Sequence, residues 1–302
     1  MMEELESLSR LIGRTPLLRL RRLPPRGREV HLKLEYTNPG GSHKDRIAYY
    51  IIRDAVERGL VGEGGYVVES SSGNTATAVA WISSRLGLRP LLILEPKVSE
   101  ARETALRLLG AETMRVEREE EQFQRAQELA EELGGVFLNQ FENEANVRAH
   151  YETTGPEVLE QMEGDLDAFV MGIGTGGTIV GVGRRLKEEL GQVRVVGVVP
   201  RGSALLHGEP RHEDSIGGLS KALRPELYHR NREYVDEVVE VSQATAIEAV
   251  RRLAALEGLL VGPSTGAAVH TALKVAEELG EGSRVVTIAA DSLFRYPELL
   301  TI

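Results

Sequence analysis

Residues 66–95, YVVESSSGNTATAVAWISSRLGLRPLLILE, decide the fold because they alternate between strand and helix within thirty residues. Residues 66–70 and 90–95 are apolar runs of strand length, and residues 75–86 between them favour a helix. Short apolar strands separated by helices are typical of parallel sheets that are covered on both faces. This stretch therefore predicts an α/β fold, in which ligands bind beyond the carboxyl ends of the strands.

The same alternation extends in both directions along the chain. Further strands are predicted at residues 29–35, 112–116, 136–140, 168–172, 194–200, 237–241 and 284–290. Helices of ten or more residues are predicted between most of them, including one from Lys44 to Leu60. This number of strands in 302 residues favours two mostly parallel, twisted sheets over one.

Composition excludes several classes of function. The net charge of −10 argues against a nucleic-acid surface, which requires a basic face. The chain has no cysteine, so disulfides, thiolate metal sites and a cysteine nucleophile are excluded. His150, His212 and His229 lack the spacing of metal ligands, and we expect no metal. The acidic N-terminus does not resemble a signal peptide and the apolar runs are too short to span a bilayer, so we expect a cytoplasmic protein.

The first turn with chemical character is NPGGSHKDR at residues 38–46, between a strand and a helix. Ser42 and Asp45 match a capping box, which would make Ser42 the N-cap and Lys44 the second helical residue. A lysine at that position is unusual, because the positive end of the helix dipole disfavours an ammonium group. A Schiff-base lysine benefits from the same environment, since a lowered pKa frees the neutral amine.

Three more turns lie between a strand and a helix, or open a helix, and could hold an anion. Residues 69–75 (ESSSGNT) offer hydroxyl and N–H groups, although ordinary capping by Ser72 or Asn74 explains them as well. Residues 172–178 (GIGTGGT) favour a phosphate turn, but they are not an ATP-binding loop, because no lysine follows. Residues 262–267 (GPSTGA) open a helix, and ordinary capping by Ser264 or Thr265 is their default explanation.

The four turns in this order resemble the fold-type II pyridoxal-phosphate (PLP) enzymes, and most of all the cysteine synthases (O-acetylserine sulfhydrylases). The resemblance extends from residue 12 to residue 296. It implies PLP in a cleft between a large domain (residues 1–40 and 146–302) and a smaller one (residues 41–145). It also implies that Lys44 is the catalytic lysine. By the same resemblance, the residues that bind the cofactor besides Lys44 would be Asn74, Gly174, Thr175, Gly176, Gly177, Thr178 and Ser264. The residues that bind the substrate would be Ser71, Ser72, Gly73, Asn74, Thr75 and Gln140.

The resemblance implies β-replacement as the reaction. O-acetyl-L-serine would lose acetate to give an aminoacrylate, to which sulfide or a thiol adds, and Lys44 would carry the α-proton. Ser264 would face the pyridine nitrogen as a neutral hydroxyl, which weakens the ring as an electron sink and favours elimination over transamination. The resemblance further implies a homodimer and, in some members, binding of serine acetyltransferase.

Several departures leave the substrate open. His43 replaces a hydrophobic residue, and Ala76 replaces a common glycine. O-phosphoserine is the second candidate, because residues 201–219 contain Arg201 and Arg211 together with His207 and His212. Enzymes that make diaminopropionate compounds or cystathionine share parts of the pattern. A serine or threonine dehydratase is disfavoured by Thr75, and a catalytically inactive relative by the presence of Lys44.

Overall fold

The computed structural model describes residues 1–211, 214–220, 222 and 225–299, which form two compact units. Unit 1 consists of Met1–Gly13 and Asn38–Asn146, and unit 2 of Arg14–Thr37 and Val147–Ile302. Each unit is built around its own sheet, which is the α/β class that the sequence predicts.

Unit 1 contains a four-stranded parallel sheet in the order β5-β4-β3-β6. Its core includes Val68, Ile93 and Ala126, where strand side chains meet those of a covering helix. The strands are β3 (Tyr66–Ser70), β4 (Arg89–Leu94), β5 (Glu112–Arg115) and β6 (Val136–Phe137). The helices are α1 (Met2–Leu11), α2 (Lys44–Glu57), α3 (Asn74–Leu86), α4 (Glu100–Leu108) and α5 (Gln122–Glu132), and α6 (Ala145–Ala149) crosses into unit 2.

Unit 2 contains a six-stranded sheet in the order β1-β2-β10-β7-β8-β9, in which only β1 pairs antiparallel. Two apolar clusters, one on either side of this sheet, place alternate residues such as Val170 and Phe169 in different clusters. The strands are β1 (Leu17–Arg19), β2 (Glu29–Leu34), β7 (Ala168–Gly172), β8 (Arg194–Pro200), β9 (Glu237–Val241) and β10 (Arg284–Ala289). The helices are α7 (Gly155–Gln161), α8 (Gly177–Leu190), α9 (Ala204–His207), α10 (Glu226–Arg230), α11 (Gln243–Arg252) and α12 (Pro263–Leu279).

The N-terminal helix α1 belongs to unit 1, whereas residues 1–40 were expected in the larger domain. Leu5 and Leu8 of α1 are buried against α2 and α3. The Tyr49 hydroxyl of α2 donates a hydrogen bond to the Leu5 carbonyl at 3.1 Å. These contacts were not foreseen because α1 was not predicted as a helix.

Within the described ranges, no helix has both the length and the apolar character needed to cross a membrane.

Candidate active site

The turn before Lys44 is anchored to the first turn of α2 within unit 1. The Asp45 carboxylate accepts hydrogen bonds from the Gly40 N–H at 2.5 Å and the Trp81 indole N–H at 3.2 Å. A Cβ added to Gly40 would lie 2.2 Å from Asp45 Oδ1 and 2.5 Å from Trp81 Nε1, so only glycine fits there. The turn therefore reaches α2 with little freedom, and the position of Lys44 is fixed by its neighbours.

The predicted capping box at this turn is wrong in its details. Helix α2 begins at Lys44 itself, and its N-cap is His43 without a side-chain capping bond. The Ser42 hydroxyl accepts from the Lys44 N–H at 3.3 Å. Asp45 does lie in the first turn, but its carboxylate holds Gly40 and Trp81. The structure thus makes Lys44 the first helical residue, where the sequence predicted the second.

Lys44 has the lowered pKa that a Schiff-base lysine requires. Burial lowers the pKa of its ammonium group to about 8, and the Glu69 carboxylate opposes this by raising it. The sequence suggested the helix dipole as the cause, whereas loss of hydration is the larger effect in the structure. At pH 8 about half of the Lys44 side chains would be neutral amines.

The loop 71–75 follows β3 and opens α3, and its hydroxyl groups do not cap that helix. The N-cap of α3 is Gly73, without a side-chain capping bond. The Ser72 hydroxyl accepts from the Glu95 N–H at 3.0 Å, and the Thr75 hydroxyl donates to Gln140 Oε1 at 2.6 Å. Ordinary capping therefore does not explain these residues. The structure joins Thr75 to Gln140, which the sequence had placed on a strand and which lies beyond the short β6.

Glu69 is a buried acid next to this loop, and the sequence pattern assigned it no role. Its side chain is 1% exposed and accepts from the Ser70 N–H at 2.9 Å and the Gln140 N–H at 3.3 Å. Burial raises the pKa of the Glu69 carboxyl to about 8, against the lowering effect of those N–H groups and of Lys44. In the sequence, the signal that could have pointed to Glu69 is the presence of an acid at the end of the apolar run that forms β3.

The predicted phosphate turn lies in unit 2, between β7 and α8. Gly176 has a φ of +89°, and an added Cβ would lie 2.7 Å from the Tyr228 backbone nitrogen. An added Cβ at Gly174 would lie 2.5 Å from the Gly218 carbonyl oxygen. Gly177 opens the 14-residue helix α8, whose first N–H groups are suited to an anion. The glycines thus let the backbone make a turn that side chains would prevent.

Ser264 lies near the same turn of unit 2 and is not an N-cap. The N-cap of α12 is Gly262, and the Thr265 hydroxyl accepts from the Ala290 N–H at 3.1 Å. Ser264 is 7% exposed. A Cβ built on Gly218, which contacts Gly174, would lie 3.9 Å from Ser264 Oγ. A nearly buried hydroxyl at this place fits the ring nitrogen of a bound cofactor.

The described residues of the segment 201–219 make polar contacts within the segment and with Glu240 of β9. Arg201 pairs with Asp214 at 2.6 Å, and the His207 ring nitrogen lies 2.8 Å from a Glu240 carboxylate oxygen. The Gly202 N–H donates to the same Glu240 side chain at 2.7 Å. His212 lies outside the described residues. Arg201, one of the arginines considered for a substrate phosphate, therefore already has a carboxylate partner.

Comparison with known proteins decides the family. Residues 8–291 match the family model described as "Pyridoxal-phosphate dependent enzyme". The chain belongs to this family. The resemblance seen in the sequence is thereby confirmed, as is PLP as the cofactor.

Individual members of the PLP family match nearly the whole chain. Cysteine synthase of Staphylococcus aureus is 38% identical over 296 residues, which cover 96% of this chain and 95% of that protein. An O-acetylserine dependent cystathionine beta-synthase of Bacillus subtilis is 36% identical over 300 residues, covering 98% and 97%. The crystal structure of an O-ureido-L-serine synthase superposes with a TM-score of 0.91 at 37% identity, covering 96% and 92%.

Proposed function

We propose that this PLP enzyme makes L-cysteine from O-acetyl-L-serine and sulfide. The observation that carries the proposal is Lys44, whose pKa of about 8 lets it hold or release a proton near neutral pH. The cysteine synthase at 38% identity supports the product. The O-acetylserine dependent relative supports acetate as the leaving group.

The proposed cofactor ligands are the residues that the resemblance implies. Lys44 would bind PLP covalently, and Asn74 would bind the ring hydroxyl. Ser264 would face the ring nitrogen with its nearly buried hydroxyl. The phosphate would be held by the turn formed by Gly174, Thr175, Gly176, Gly177 and Thr178. When bound, PLP supplies an electron sink for the negative charge that develops at the substrate α-carbon.

The proposed substrate site is the loop formed by Ser71, Ser72, Gly73, Asn74 and Thr75, together with Gln140. The start of α3 offers N–H groups to the substrate carboxylate. The hydrogen bonds of Ser72 to Glu95 and of Thr75 to Gln140 would hold the loop in a binding conformation. An added Cβ on Gly73 would meet no atom within 4 Å, so the loop leaves space above this residue.

Lys44 would move the protons of the reaction. As a neutral amine it takes the α-proton, and the β-carbon–oxygen bond breaks to release acetate. Sulfide then forms the new bond at the β-carbon, and the Lys44 ammonium returns the proton to the α-carbon. The neutral Ser264 hydroxyl favours this route, because it does not hold a proton on the ring nitrogen as an aspartic acid would.

The second candidate is the same chemistry with a thiol in place of sulfide. It is favoured by the cystathionine beta-synthase relative at 36% identity, which shares the acetylserine donor. O-phosphoserine ranks behind O-acetylserine, because Arg201 already pairs with Asp214 at 2.6 Å.

We also propose that the enzyme acts in the cytoplasm as a homodimer and that serine acetyltransferase is a candidate partner. These proposals rest on the resemblance to cysteine synthases. Size-exclusion chromatography with light scattering, with and without the acetyltransferase, tests both assembly proposals.

The experiment that tests the function compares donors and acceptors on one preparation of purified protein loaded with PLP. We expect visible absorbance from the bound cofactor, acetate release from O-acetylserine, and cysteine in the presence of sulfide. Lys44→Ala should lose the borohydride-stable adduct with PLP and the cysteine activity. Faster turnover with homocysteine than with sulfide would favour the second candidate. Absence of product from acetylserine and phosphoserine with either acceptor would refute the β-replacement proposal.

A further inference from the structure

His150 is a buried imidazole behind the phosphate turn of unit 2. It is 0% exposed and lies in the helical segment His150–Thr154, which has π-helical hydrogen bonding. Its Nε2 atom is 3.0 Å from the Thr178 hydroxyl oxygen, and its Nδ1 atom is 2.9 Å from the Thr154 hydroxyl oxygen. Both ring nitrogens thus contact threonine hydroxyls, and one of those threonines belongs to the phosphate turn.

Close packing holds this histidine against α8. Gly181, one turn after Thr178, brings the two helical segments together because it has no side chain. A Cβ added to Gly181 would lie 2.9 Å from the His150 Cβ and 2.5 Å from the Val147 carbonyl oxygen. The contact between His150 and Thr178 is therefore set by backbone packing.

A bound phosphate would set the direction of the Thr178 hydroxyl proton. The Thr178 hydroxyl has one proton, so it can donate to a phosphate oxygen only if it accepts from the ring. A neutral imidazole with its proton on Nε2 donates to Thr178, and its bare Nδ1 then accepts from the Thr154 hydroxyl. Both ring nitrogens are satisfied in this arrangement, and the Thr178 proton is left to point away from the histidine.

We propose that His150 is a positioning residue that keeps the Thr178 hydroxyl as a donor to the phosphate of the cofactor. The inference rests on the proposed phosphate-binding role of residues 174–178. His150 does not touch the reacting atoms, and its effect is confined to the phosphate end of the ligand. It should therefore matter for PLP and not for pyridoxal, which has no phosphate.

The test measures binding of PLP and of pyridoxal to the apoprotein of matched variants. We expect His150→Leu, which keeps volume and loses the donor, to weaken PLP binding about tenfold, as expected when one hydrogen bond to a charged group is lost. Pyridoxal affinity should stay unchanged. His150→Gln can keep an N–H group near Thr178 and should recover most of the loss. Thr178→Val should match the leucine variant, and the double variant should lose no more than either one, since both remove the same interaction.

The ³¹P NMR signal of bound PLP gives a second readout, and it should shift in His150→Leu. Equal loss of PLP and pyridoxal affinity, or unchanged PLP affinity in His150→Leu, would overturn the inference. If the leucine variant does not fold, the comparison of His150→Gln with Thr178→Val decides, and equal PLP affinity in those two variants would also overturn it. If the wild type binds PLP no better than pyridoxal, the proposed phosphate-binding role of residues 174–178 is wrong. This outcome distinguishes a failure of the proposed phosphate turn from a failure of the proposed role of His150.

Discussion

At the scale of single residues, the reactivity of Lys44 depends on a balance between burial and one acid. Burial lowers its pKa to about 8, and the Glu69 carboxylate opposes that change. A lysine in water has a pKa near 10.4 and is almost entirely charged at neutral pH, so this environment is what makes the amine available. Glu69 also binds the N–H groups of Ser70 and Gln140, so it couples the lysine to the loop proposed for the substrate.

Removing the charge of Glu69 should lower the pKa of Lys44 further. We expect Glu69→Gln to shift the pH midpoint of Lys44 labelling in the apoprotein to below its wild-type value near 8. The reason is that the carboxylate raises the pKa of Lys44 and glutamine cannot. An amine-reactive reagent followed by peptide mass spectrometry measures the midpoint. Glu112→Gln removes a surface charge of the same unit and should leave it unchanged, and an unchanged midpoint in both variants contradicts the prediction.

The same acid should make the stability of the apoprotein depend on pH. Burial raises the pKa of Glu69 from 4.5 to about 8, so between these values the folded protein keeps a proton that the unfolded chain releases. Stability contributed by this group is therefore complete below pH 4.5 and is lost as the pH rises towards 8. Urea unfolding across this range should show Glu69→Gln gaining stability relative to the wild type as pH increases. A constant difference across the range would show that the two states bind protons equally.

The turn before Lys44 should tolerate no side chain at Gly40. An added Cβ would lie 2.2 Å from Asp45 Oδ1, so Gly40→Ala must displace Asp45 or the turn. We expect a loss of about 1–3 kcal/mol in the free energy of unfolding, as for other overpacked sites. Gly62→Ala, where an added Cβ meets no atom within 4 Å, is the matched control in the same unit. Urea denaturation of both apoproteins measures the difference, and similar values would exclude steric strain at Gly40.

At the scale of helices and strands, the sequence predicted the regular alternation and missed local exceptions. The apolar runs of β3, β4 and β7 stand out because their side chains are buried on both faces of a parallel sheet. Helix α1 and strand β1 were missed, since each is short and buries few residues. The capping box was wrong because Asp45 contacts Trp81, which is 36 residues away and gives no local signal.

The candidate site shows the same limit. The turns themselves have a recognisable local pattern of glycine, serine and asparagine, and the resemblance to PLP enzymes then assigned roles to Lys44, Asn74, Gly174 and Ser264. The roles of Glu69 and His150 depend on tertiary contacts instead. His150 meets Thr178 across 28 residues, and the backbone contact of Glu69 with Gln140 spans 71 residues. No spacing rule in a single sequence relates such pairs.

Strand β2 carries a buried ion pair that should be important for the stability of unit 2. Lys33 is 0% exposed, and its ammonium group contacts Glu157 Oε2 at 2.7 Å and the Thr15 carbonyl oxygen at 3.0 Å. Replacing Glu157 by glutamine removes the opposite charge and leaves the buried ammonium group with neutral acceptors such as the Thr15 carbonyl and the Gln161 amide oxygen. We expect Glu157→Gln to lower the free energy of unfolding by about 3–5 kcal/mol.

The exposed pair of Glu226 and Arg230 is the matched control for that prediction. The Arg230 Nε and Glu226 Oε1 atoms lie 3.2 Å apart, and both side chains are 46% exposed. Glu226→Gln should change the free energy of unfolding by less than about 1 kcal/mol, because water already solvates the charges. Guanidinium denaturation of both variants is the measurement. A small loss in Glu157→Gln would mean that the Lys33 charge is satisfied by its remaining oxygen contacts.

At the scale of the whole molecule, the chain begins in unit 1, enters unit 2 at Arg14, returns to unit 1 at Asn38 and enters unit 2 again at Val147. The proposed PLP ligands are divided in the same way: Lys44 and Asn74 belong to unit 1, and the phosphate turn and Ser264 belong to unit 2. A ligand stabilises whatever it binds, by about 2.7 kcal/mol at a hundredfold excess over its dissociation constant. If both groups bind one cofactor, each unit should gain stability from it.

Hydrogen exchange with mass spectrometry tests this division directly. Addition of PLP to the apoprotein should slow exchange at the starts of both α3 and α8, because local opening must then release the ligand. Pyridoxal should protect the start of α3 and have little effect on α8, since it lacks the phosphate that the turn would bind. Lys44→Ala should reduce the protection in both units by weakening the binding of PLP as a whole. Protection confined to one unit at saturating PLP would show that the ligand residues of the other unit do not hold the cofactor.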